Sequence, residues 1–246
     1  MDSLLLHAIE KNYKAADALY LQIKEFKKFR MKQFLEFALP EKDIPEGAIT
    51  SRWPVMSLGN VVDKNAGIMD GPRSSDYYRS HIRETGIPVF SGECIEKLRF
   101  MPKQFQYVGT EFREQYVRQI MRGGDILLIA EGTFAGSCAI VPIFHEEGIL
   151  GERCIRIRPD TGICESFYLL NILHFYHHIG FMETAMDKAS DIITPETLQS
   201  LPVPVPPLEQ QGEITSLMLE LSGGMVAQEA YTAELLKLKS LTSLQP

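Results

Sequence analysis

Arginine, lysine, serine and tyrosine side chains are concentrated in two irregular stretches of the chain, residues 64–84 and 97–104. Guanidinium and other polar groups can bind phosphates or base edges, and tyrosine rings can pack on sugars or bases. An ordinary surface loop has the same composition, so composition alone leaves both interpretations open. The candidate DNA-contacting residues are Arg73, Ser75, Tyr77, Tyr78, Arg79, Arg83, Lys97, Arg99 and Lys103.

The charge distribution divides the middle of the chain into two halves. The net charge of −7 is unfavourable for DNA binding, because phosphate contacts need lysine and arginine. Residues 64–122 nevertheless carry ten basic against seven acidic side chains, whereas residues 123–200 carry four against eleven. We therefore predict a nucleic-acid face in the first half and an acidic half that faces away from DNA or contacts another subunit. Ordinary surface variation is the alternative.

Motifs for catalysis are weak. The chain has no GxxxxGK[ST] phosphate loop, no GxGxxG, and no Asn-Pro-Pro-aromatic motif of the kind that adenine methylases use. His174, His177 and His178 are spaced to place two imidazoles on one helix face, but no carboxylate or cysteine nearby in sequence completes a metal site. We predict a protein that is not an enzyme and that uses no metal and no cofactor.

Two long helices are predicted at the ends of the chain. Residues 4–38 contain no glycine or proline and carry a heptad-like seam, which needs a partner helix or, alternatively, the surface of the central region. A second seam begins at Leu208, and Gly223-Gly224 should mark a bend or a close helix approach in it. The first seam consists of Leu5, Ile9, Asn12, Ala16, Leu19, Ile23, Phe26 and Arg30; the second consists of Ile214, Leu217, Leu221, Tyr231, Leu235 and Leu238.

The region between the helices has mixed secondary-structure signals. Short strands are predicted at 87–90, 106–108 and 153–158, and a hairpin at 126–130 and 138–142 around a glycine-bounded turn. Helices are predicted at 110–121 and 165–178, and Thr194-Pro195 should begin a short helix. Val203 and Val205 alternate with prolines, which allows only an edge strand or an extended linker.

Cysteine usage and the amino terminus bear on the compartment. The four cysteines form no CxxC pair, which favours reduced, buried thiols in a cytoplasmic protein. The first residues lack the basic and apolar regions of a signal peptide, and no apolar run is long enough to span a membrane. We therefore expect a cytoplasmic protein without membrane contact.

Several short motifs occur in a fixed order. Residues 23–35 read IKEFKKFRMKQFL, Trp53 follows, and the later motifs are Gly-Asp-Ile-Leu at 124–127 and Pro-Pro-Leu-Glu-Gln-Gln at 206–211. This order resembles the specificity (S) subunit of type I restriction–modification enzymes. The resemblance implies an α+β fold in which one mixed target recognition domain is flanked by long helices that form a coiled coil. The implied boundaries are a spacer helix at 1–40, the recognition domain at 52–206 and a second spacer helix at 207–246.

The same resemblance implies a non-catalytic subunit that recognises a DNA half-site. Its partners would be double-stranded DNA, adenine methyltransferase subunits and a restriction subunit. Members of the family usually carry two recognition domains, so this chain resembles half a subunit: a natural half-length form, a truncated gene product or a fragment of a fused enzyme. A homodimer would supply the missing half, with Leu5, Ile9, Leu19, Ile23, Leu235 and Leu238 as interface candidates. The alternatives are the recognition domain of a single-chain methyltransferase or restriction enzyme, and a coiled-coil adaptor that binds only protein.

Overall fold

The computed structural model describes residues 3–36, 53–74, 78–101, 105–187 and 190–243. The chain divides into a helical unit, residues 1–46 with 213–246, and a globular unit, residues 47–212. The α-helices are α1 (Ser3–Glu36), α2 (Ser166–His178), α3 (Pro195–Gln199) and α4 (Leu208–Ser243). The strands are β1 (Val55–Ser57), β2 (Ile68–Asp70), β3 (Ile82–Arg83), β4 (Ile87–Phe90), β5 (Ile95–Glu96), β6 (Arg99–Phe100), β7 (Tyr107–Val108), β8 (Ile120–Met121), β9 (Ile126–Ile129), β10 (Cys138–Ile140), β11 (Gly148–Leu150), β12 (Cys154–Ile157), β13 (Met186–Asp187), β14 (Ile192–Ile193) and β15 (Pro202–Pro204).

Two sheets form the body of the globular unit, and the fold is α+β as predicted. A four-stranded antiparallel sheet has the order β10-β9-β12-β2. A five-stranded sheet has the order β3-β7-β4-β11-β8, in which only β4 and β11 run parallel. Strands β9 and β12 are almost continuously apolar because they lie in the interior of a sheet and are buried on both faces.

The predicted hairpin is confirmed as β9 and β10, in which Leu128 pairs with Cys138 and Ile126 with Ile140. Gly132 and Gly136 bound its turn with φ angles of 85° and 84°, a backbone region that glycine enters without steric cost. Local sequence signals were sufficient here because turn chemistry and strand pattern agree.

The predicted helices α2 and α3 are confirmed, and both begin with a side-chain cap. The Glu165 side chain accepts hydrogen bonds from the backbone N–H groups of Phe167 and Tyr168 and so begins α2. Thr194 and Thr197 form a reciprocal capping box at the start of α3. The proline-rich segment is an edge strand, because β15 pairs with β1 in a two-stranded sheet.

Two predictions for the first half of the globular unit are wrong. Residues 110–121 form no α-helix: two 3-10 turns lead into β8, which pairs with β11 through Ile120 and Ile149. Burial of Ile120 and Met121 in the sheet overrides the helix propensity of this segment. The stretch 64–84, which was predicted to be an irregular loop without strands, contains β2 at the edge of the four-stranded sheet and β3 at the edge of the five-stranded one.

Two groups of side chains fill the globular core. One includes Phe90, Phe100, Leu127 and Leu150, and the other surrounds Tyr116. All four cysteines are buried and unpaired, in agreement with their predicted role as thiols of the core.

The helical unit consists of α1 and most of α4, with 34 and 36 residues in the two helices. The less exposed side chains of α1 are Ile9, Tyr13, Ala16, Tyr20 and Ile23, spaced alternately by four and three. This row contains Ile9, Ala16 and Ile23 of the predicted seam, but Tyr13 and Tyr20 take the places that were assigned to Asn12 and Leu19. Leu19 is 47% exposed and Phe26 is 48% exposed. Helix α4 continues through Gly223-Gly224 without interruption.

Candidate nucleic-acid interface

Five of the predicted DNA-contacting side chains are exposed on the globular unit. They are Arg73, Arg79, Arg83, Lys97 and Arg99. Ser75, Tyr77 and Lys103 lie outside the described residues. The exposed cations come from the 3-10 turn before β3, from β3 itself, from the segment after β2 and from the β5–β6 hairpin.

The expectation that Tyr78 contacts DNA is wrong for this conformation. Tyr78 is 2% exposed and packs in the core with Val89, Val108 and Tyr116. Burial, followed by the nearby charge of Glu152, raises the pKa of Tyr78 to about 12. Its ring belongs to the core, although its neighbours in the sequence are polar.

The guanidinium of Arg83 has several partners within the protein. It donates to the backbone carbonyls of Ser80 at 3.2 Å and Ile82 at 2.8 Å, and its Nε lies 3.3 Å from a carboxylate oxygen of Glu111. It also lies 5.2 Å from the centre of the Phe112 ring. Arg83 therefore holds the turn before β3 in place, and these contacts compete with any phosphate.

Lys97 and Arg99 lie on a tight hairpin that the sequence analysis missed. Glu96 pairs with Arg99 across β5 and β6, and the two turn residues, Lys97 and Leu98, have φ angles of 48° and 62°. Positive φ at both turn positions defines a type I′ turn, for which Asn-Gly is the usual sequence. A non-glycine residue in this region costs on the order of 1 kcal/mol, and strained residues of this kind cluster at ligand-binding sites.

A buried arginine is a second feature that the sequence did not reveal. Arg156 on β12 is 1% exposed, and its two terminal nitrogens donate to the backbone carbonyls of Arg118, Ile120 and Ala66 at 2.7–2.9 Å. Burial, reinforced by the positive charge of Arg158, lowers the pKa of Arg156 to about 10. The side chain therefore stays charged at neutral pH and ties the loop after residue 63 to the start of β8.

Arg158, which lies near the buried Arg156, forms an ion pair with Asp125. The guanidinium meets both carboxylate oxygens at 2.6–2.7 Å and also donates to the carbonyl of Ile120 at 3.0 Å. Asp125 accepts a further hydrogen bond from the backbone N–H of Arg122. The hydrogen bond and the charge of Asp125 raise the pKa of Arg158. The Asp of the Gly-Asp-Ile-Leu motif is thus a buried counter-ion.

Exposed cations surround this buried network. Arg118 and Arg122 lie on the segments that Arg156 and Asp125 fix, and Lys64 lies in the loop whose Ala66 carbonyl Arg156 binds. Asp63 is an acidic member of the group, and hydrogen bonds from the backbone N–H groups of Asn65 and Ala66 lower its pKa. The arrangement can attract phosphate, although it lies outside the predicted set of DNA-contacting residues.

The histidines of α2 bind protein atoms. His177 Nε2 lies 2.9 Å from the hydroxyl oxygen of Ser137, and His174 Nε2 lies 3.0 Å from the carbonyl oxygen of Cys138. These contacts connect α2 to the β9–β10 hairpin. Within the described ranges no group of three His, Cys, Asp or Glu side chains is placed to hold a metal ion.

Comparison with known proteins places the chain in a family. The type I restriction modification DNA specificity domain matches residues 50–230. The chain belongs to this family. The match begins just before Trp53 and includes nearly all of the globular unit and more than half of α4.

Individual relatives are distant in sequence. A candidate type I restriction enzyme MjaX specificity subunit of Methanocaldococcus jannaschii is 23% identical over 176 residues, which are 70% of this chain and 40% of that protein. The HsdS subunit from Thermoanaerobacter tengcongensis superposes with a TM-score of 0.62 at 20% identity, over 96% of this chain and 53% of that one. The S subunit of a type I restriction–modification system from M. genitalium gives a TM-score of 0.59 at 12% identity, over 96% and 57%. The chain therefore spans about half the length of these relatives.

The specificity-domain chain has no helix, among its described residues, that is long and apolar enough to cross a membrane.

Proposed function

We propose that this chain is a non-catalytic DNA recognition module of a type I restriction–modification system. It binds a short DNA half-site and directs methyltransferase and restriction subunits to it. The observation that carries this proposal is the family match over residues 50–230. The α+β fold, nearly the whole of which superposes on about half of each of two S subunits, supports the same conclusion.

The proposed organisation is one recognition domain at 52–206 between spacer helices at 1–40 and 207–246. The chain spans about half the length of its solved relatives. The same module in a fused single-chain methyltransferase or restriction enzyme is the second candidate. A gene for a separate methylase beside this one favours the first arrangement, and a fused reading frame favours the second.

We propose that α1 and α4 pack together as an antiparallel coiled coil. A β-carbon added to Gly224 would lie 3.7 Å from Cδ1 of Ile23, an ordinary van der Waals contact, so Gly224 faces α1. Ile23 belongs to the row of less exposed side chains on α1, which has the four-three spacing of a coiled-coil seam. Small residues at such a point let two helix backbones come together.

For the DNA face we propose the surface that carries Arg73, Arg79, Lys97 and Arg99, with Arg83 as a residue that also positions its turn. The exposure of these cations and the strained turn at Lys97-Leu98 support the assignment. Ser75, Tyr77 and Lys103 remain candidates on sequence grounds alone. Counterion release from DNA by such cations gives affinity, while base contacts give specificity.

We also propose a two-fold symmetric dimer, which would present two recognition domains to a bipartite target. Leu19 and Phe26 are exposed on α1 with a spacing of seven residues, and they leave an apolar row for a second copy. Of the predicted interface residues, Leu19 is exposed, whereas Ile9 and Ile23 belong to the less exposed row of α1; the side chains of Leu5, Leu235 and Leu238 lie outside the described residues. The alternative is a monomer in which α1 and α4 bury each other's apolar residues.

Co-expression with the methyltransferase subunit encoded beside it tests the proposed function. Mapping of modified adenines across the host genome should reveal one sequence motif that depends on this chain. The triple variant Arg73→Ala/Arg79→Ala/Arg99→Ala is the companion sample and should weaken modification of that motif. If no motif is modified and no DNA is shifted even with the methyltransferase present, the chain is a protein-binding adaptor instead.

A further inference from the structure

A two-residue apolar tip projects from the loop that joins β10 to β11. Phe144 is fully exposed at 100% and Ile143 is 64% exposed. Burial of a large apolar side chain is favourable by about 2 kcal/mol or more, so a partner that covers Phe144 gains free energy from the contact. We define Ile143-Phe144 as the apolar tip.

The loop that carries the apolar tip is held firmly at its base. The ring of His145 lies 5.4–5.9 Å from the ring centres of Phe90, Phe100 and Phe105, nearly perpendicular to each of them. The backbone N–H of His145 also donates to the carbonyl of Pro142 at 2.9 Å. Phe144 therefore projects from an aromatic anchor, which keeps its position fixed when it meets a partner.

A neighbouring turn supports the loop on a second side. A β-carbon on Gly123 would come within 2.5–2.8 Å of the backbone of Ile143, so the two segments touch only because residue 123 is glycine. The backbone N–H of Gly124 donates to the carbonyl of Val141 at 2.9 Å. Arg122, at the start of this turn, is exposed, and its own N–H is held by Asp125.

Charges of both signs lie near the apolar tip. Arg122 borders it through Gly123, and Arg99 directly precedes Phe100, whose ring packs on His145. The nearby acidic side chains are Glu146, which is exposed, and Glu147, which is paired with Arg113. The folding of the chain thus brings part of its acidic half next to cations of the basic half.

We propose that Phe144 stacks on, or inserts between, the bases of DNA when the chain binds it. An exposed aromatic ring with Arg122 beside it suits DNA, whose phosphates surround a stack of apolar base faces, whereas a stable protein interface buries far more area than two side chains supply. This inference rests on the proposed DNA-binding function and adds the mode of contact to it. The cations hold the phosphates, and the apolar tip contacts the base stack.

The test compares the full chain with Phe144→Ala by fluorescence anisotropy on a labelled duplex pool of random sequence, over a series of salt concentrations. Affinity should fall about tenfold at every salt concentration, as expected when an aromatic ring no longer stacks on a base. The salt slope should not change, because every cation that faces a phosphate is still present. Phe134→Ala is the matched control, since Phe134 is 69% exposed at the turn of the β9–β10 hairpin, the other end of β10. It should bind like the parent chain.

A second measurement uses Phe144→Trp. Stacking on bases should quench the emission of the new indole when DNA is added, and the parent chain with its single tryptophan, Trp53, serves as the blank. If Phe144→Ala binds DNA as tightly as the parent chain, Phe144 does not contact the bases, while the proposed DNA recognition stands. If the variant keeps DNA affinity but no longer captures the co-expressed methyltransferase subunit, the tip is a protein contact. If the parent chain binds no DNA even with the methyltransferase subunit present, both proposals fail.

Discussion

The guanidinium of Arg158 donates a hydrogen bond to each carboxylate oxygen of Asp125, with Nε 2.7 Å from Oδ1 and Nη2 2.6 Å from Oδ2. The Asp125 side chain is 2% exposed and that of Arg158 is 14% exposed. Asp125 also holds the backbone of Arg122, so the pair fixes the turn that supports the apolar tip. Loss of either partner leaves a buried charge without compensation.

We therefore expect Asp125→Ala to lower the free energy of unfolding by about 3–5 kcal/mol. The control is Arg113→Ala, which breaks the ion pair with Glu147, where both side chains are about half exposed. Such a surface pair contributes only about 0–1 kcal/mol. Urea unfolding of the two variants and the parent chain measures both values. Equal losses in the two variants would show that the Arg158–Asp125 pair does not organise this turn.

Local signals account for the parts of the fold that the sequence predicted well. The β9–β10 hairpin has two short apolar runs and two glycines at its turn, and α3 begins with a Thr-Pro cap. Each feature depends on neighbours within a few residues. The segment 110–121 failed because its structure depends on pairing between β8 and β11, whose paired residues Ile120 and Ile149 are far apart in sequence.

The candidate site was predicted less completely than the fold, for a related reason. Composition identified exposed cations such as Arg73 and Arg99, but it could not separate Tyr78, whose ring lies in the core, from its polar neighbours. The hairpin turn at Lys97-Leu98 lacks the glycine or asparagine that normally indicates positive φ. Arg156 follows the alternation of an exposed strand residue, yet loops distant in sequence bury it.

The DNA face is open to a test by salt dependence. We expect Arg73→Ala/Arg79→Ala/Arg99→Ala to weaken DNA binding and to reduce the slope of log affinity against log salt by about 3, because three phosphates are no longer neutralised by the protein. A control with the same change in charge is Lys11→Ala/Lys14→Ala/Lys24→Ala, on exposed positions of α1. An unchanged slope in the arginine variant, or an equal change in the lysine variant, would contradict the assigned face.

The packing of α1 on α4 is tested by the two adjacent glycines of α4. Gly224→Leu should destabilise the chain relative to Gly223→Leu, because the larger side chain at 224 would meet Ile23. Nothing lies within 4 Å of a β-carbon at Gly223, so leucine there should be neutral or should stabilise the helix by about 1 kcal/mol. Thermal unfolding followed by circular dichroism gives the comparison. Equal melting temperatures would count against close contact of the helices at this point.

The stability of the globular unit should depend on His177 at mildly acidic pH. Burial, followed by the charge of His178, lowers the pKa of His177 below its ordinary value. The unfolded chain therefore takes up this proton first as pH falls, and stability is lost below about pH 6.5, the usual histidine pKa. His177→Gln, which can keep the hydrogen bond to Ser137, should lose less stability between about pH 7 and about pH 5.5. His7→Gln, on an exposed position of α1, should follow the parent chain. If stability depends on pH in the same way in the parent chain and both variants, protonation of His177 does not cause the loss of stability.

The oligomeric state follows from how the exposed apolar residues of the helices are covered. Leu19 and Phe26 stay exposed on α1 in the single chain. A second copy related by a two-fold axis could cover these two residues, and the first copy would cover the same two residues of the second. We expect sedimentation equilibrium at micromolar concentration to show a species of twice 27.8 kDa. Leu19→Lys/Phe26→Lys should shift it to the monomer, whereas Lys11→Ala/Lys14→Ala, also on exposed positions of α1, should leave the dimer intact. A single species near 27.8 kDa that persists with DNA and the methyltransferase subunit present would rule out the dimer, and each chain would then read one half-site alone.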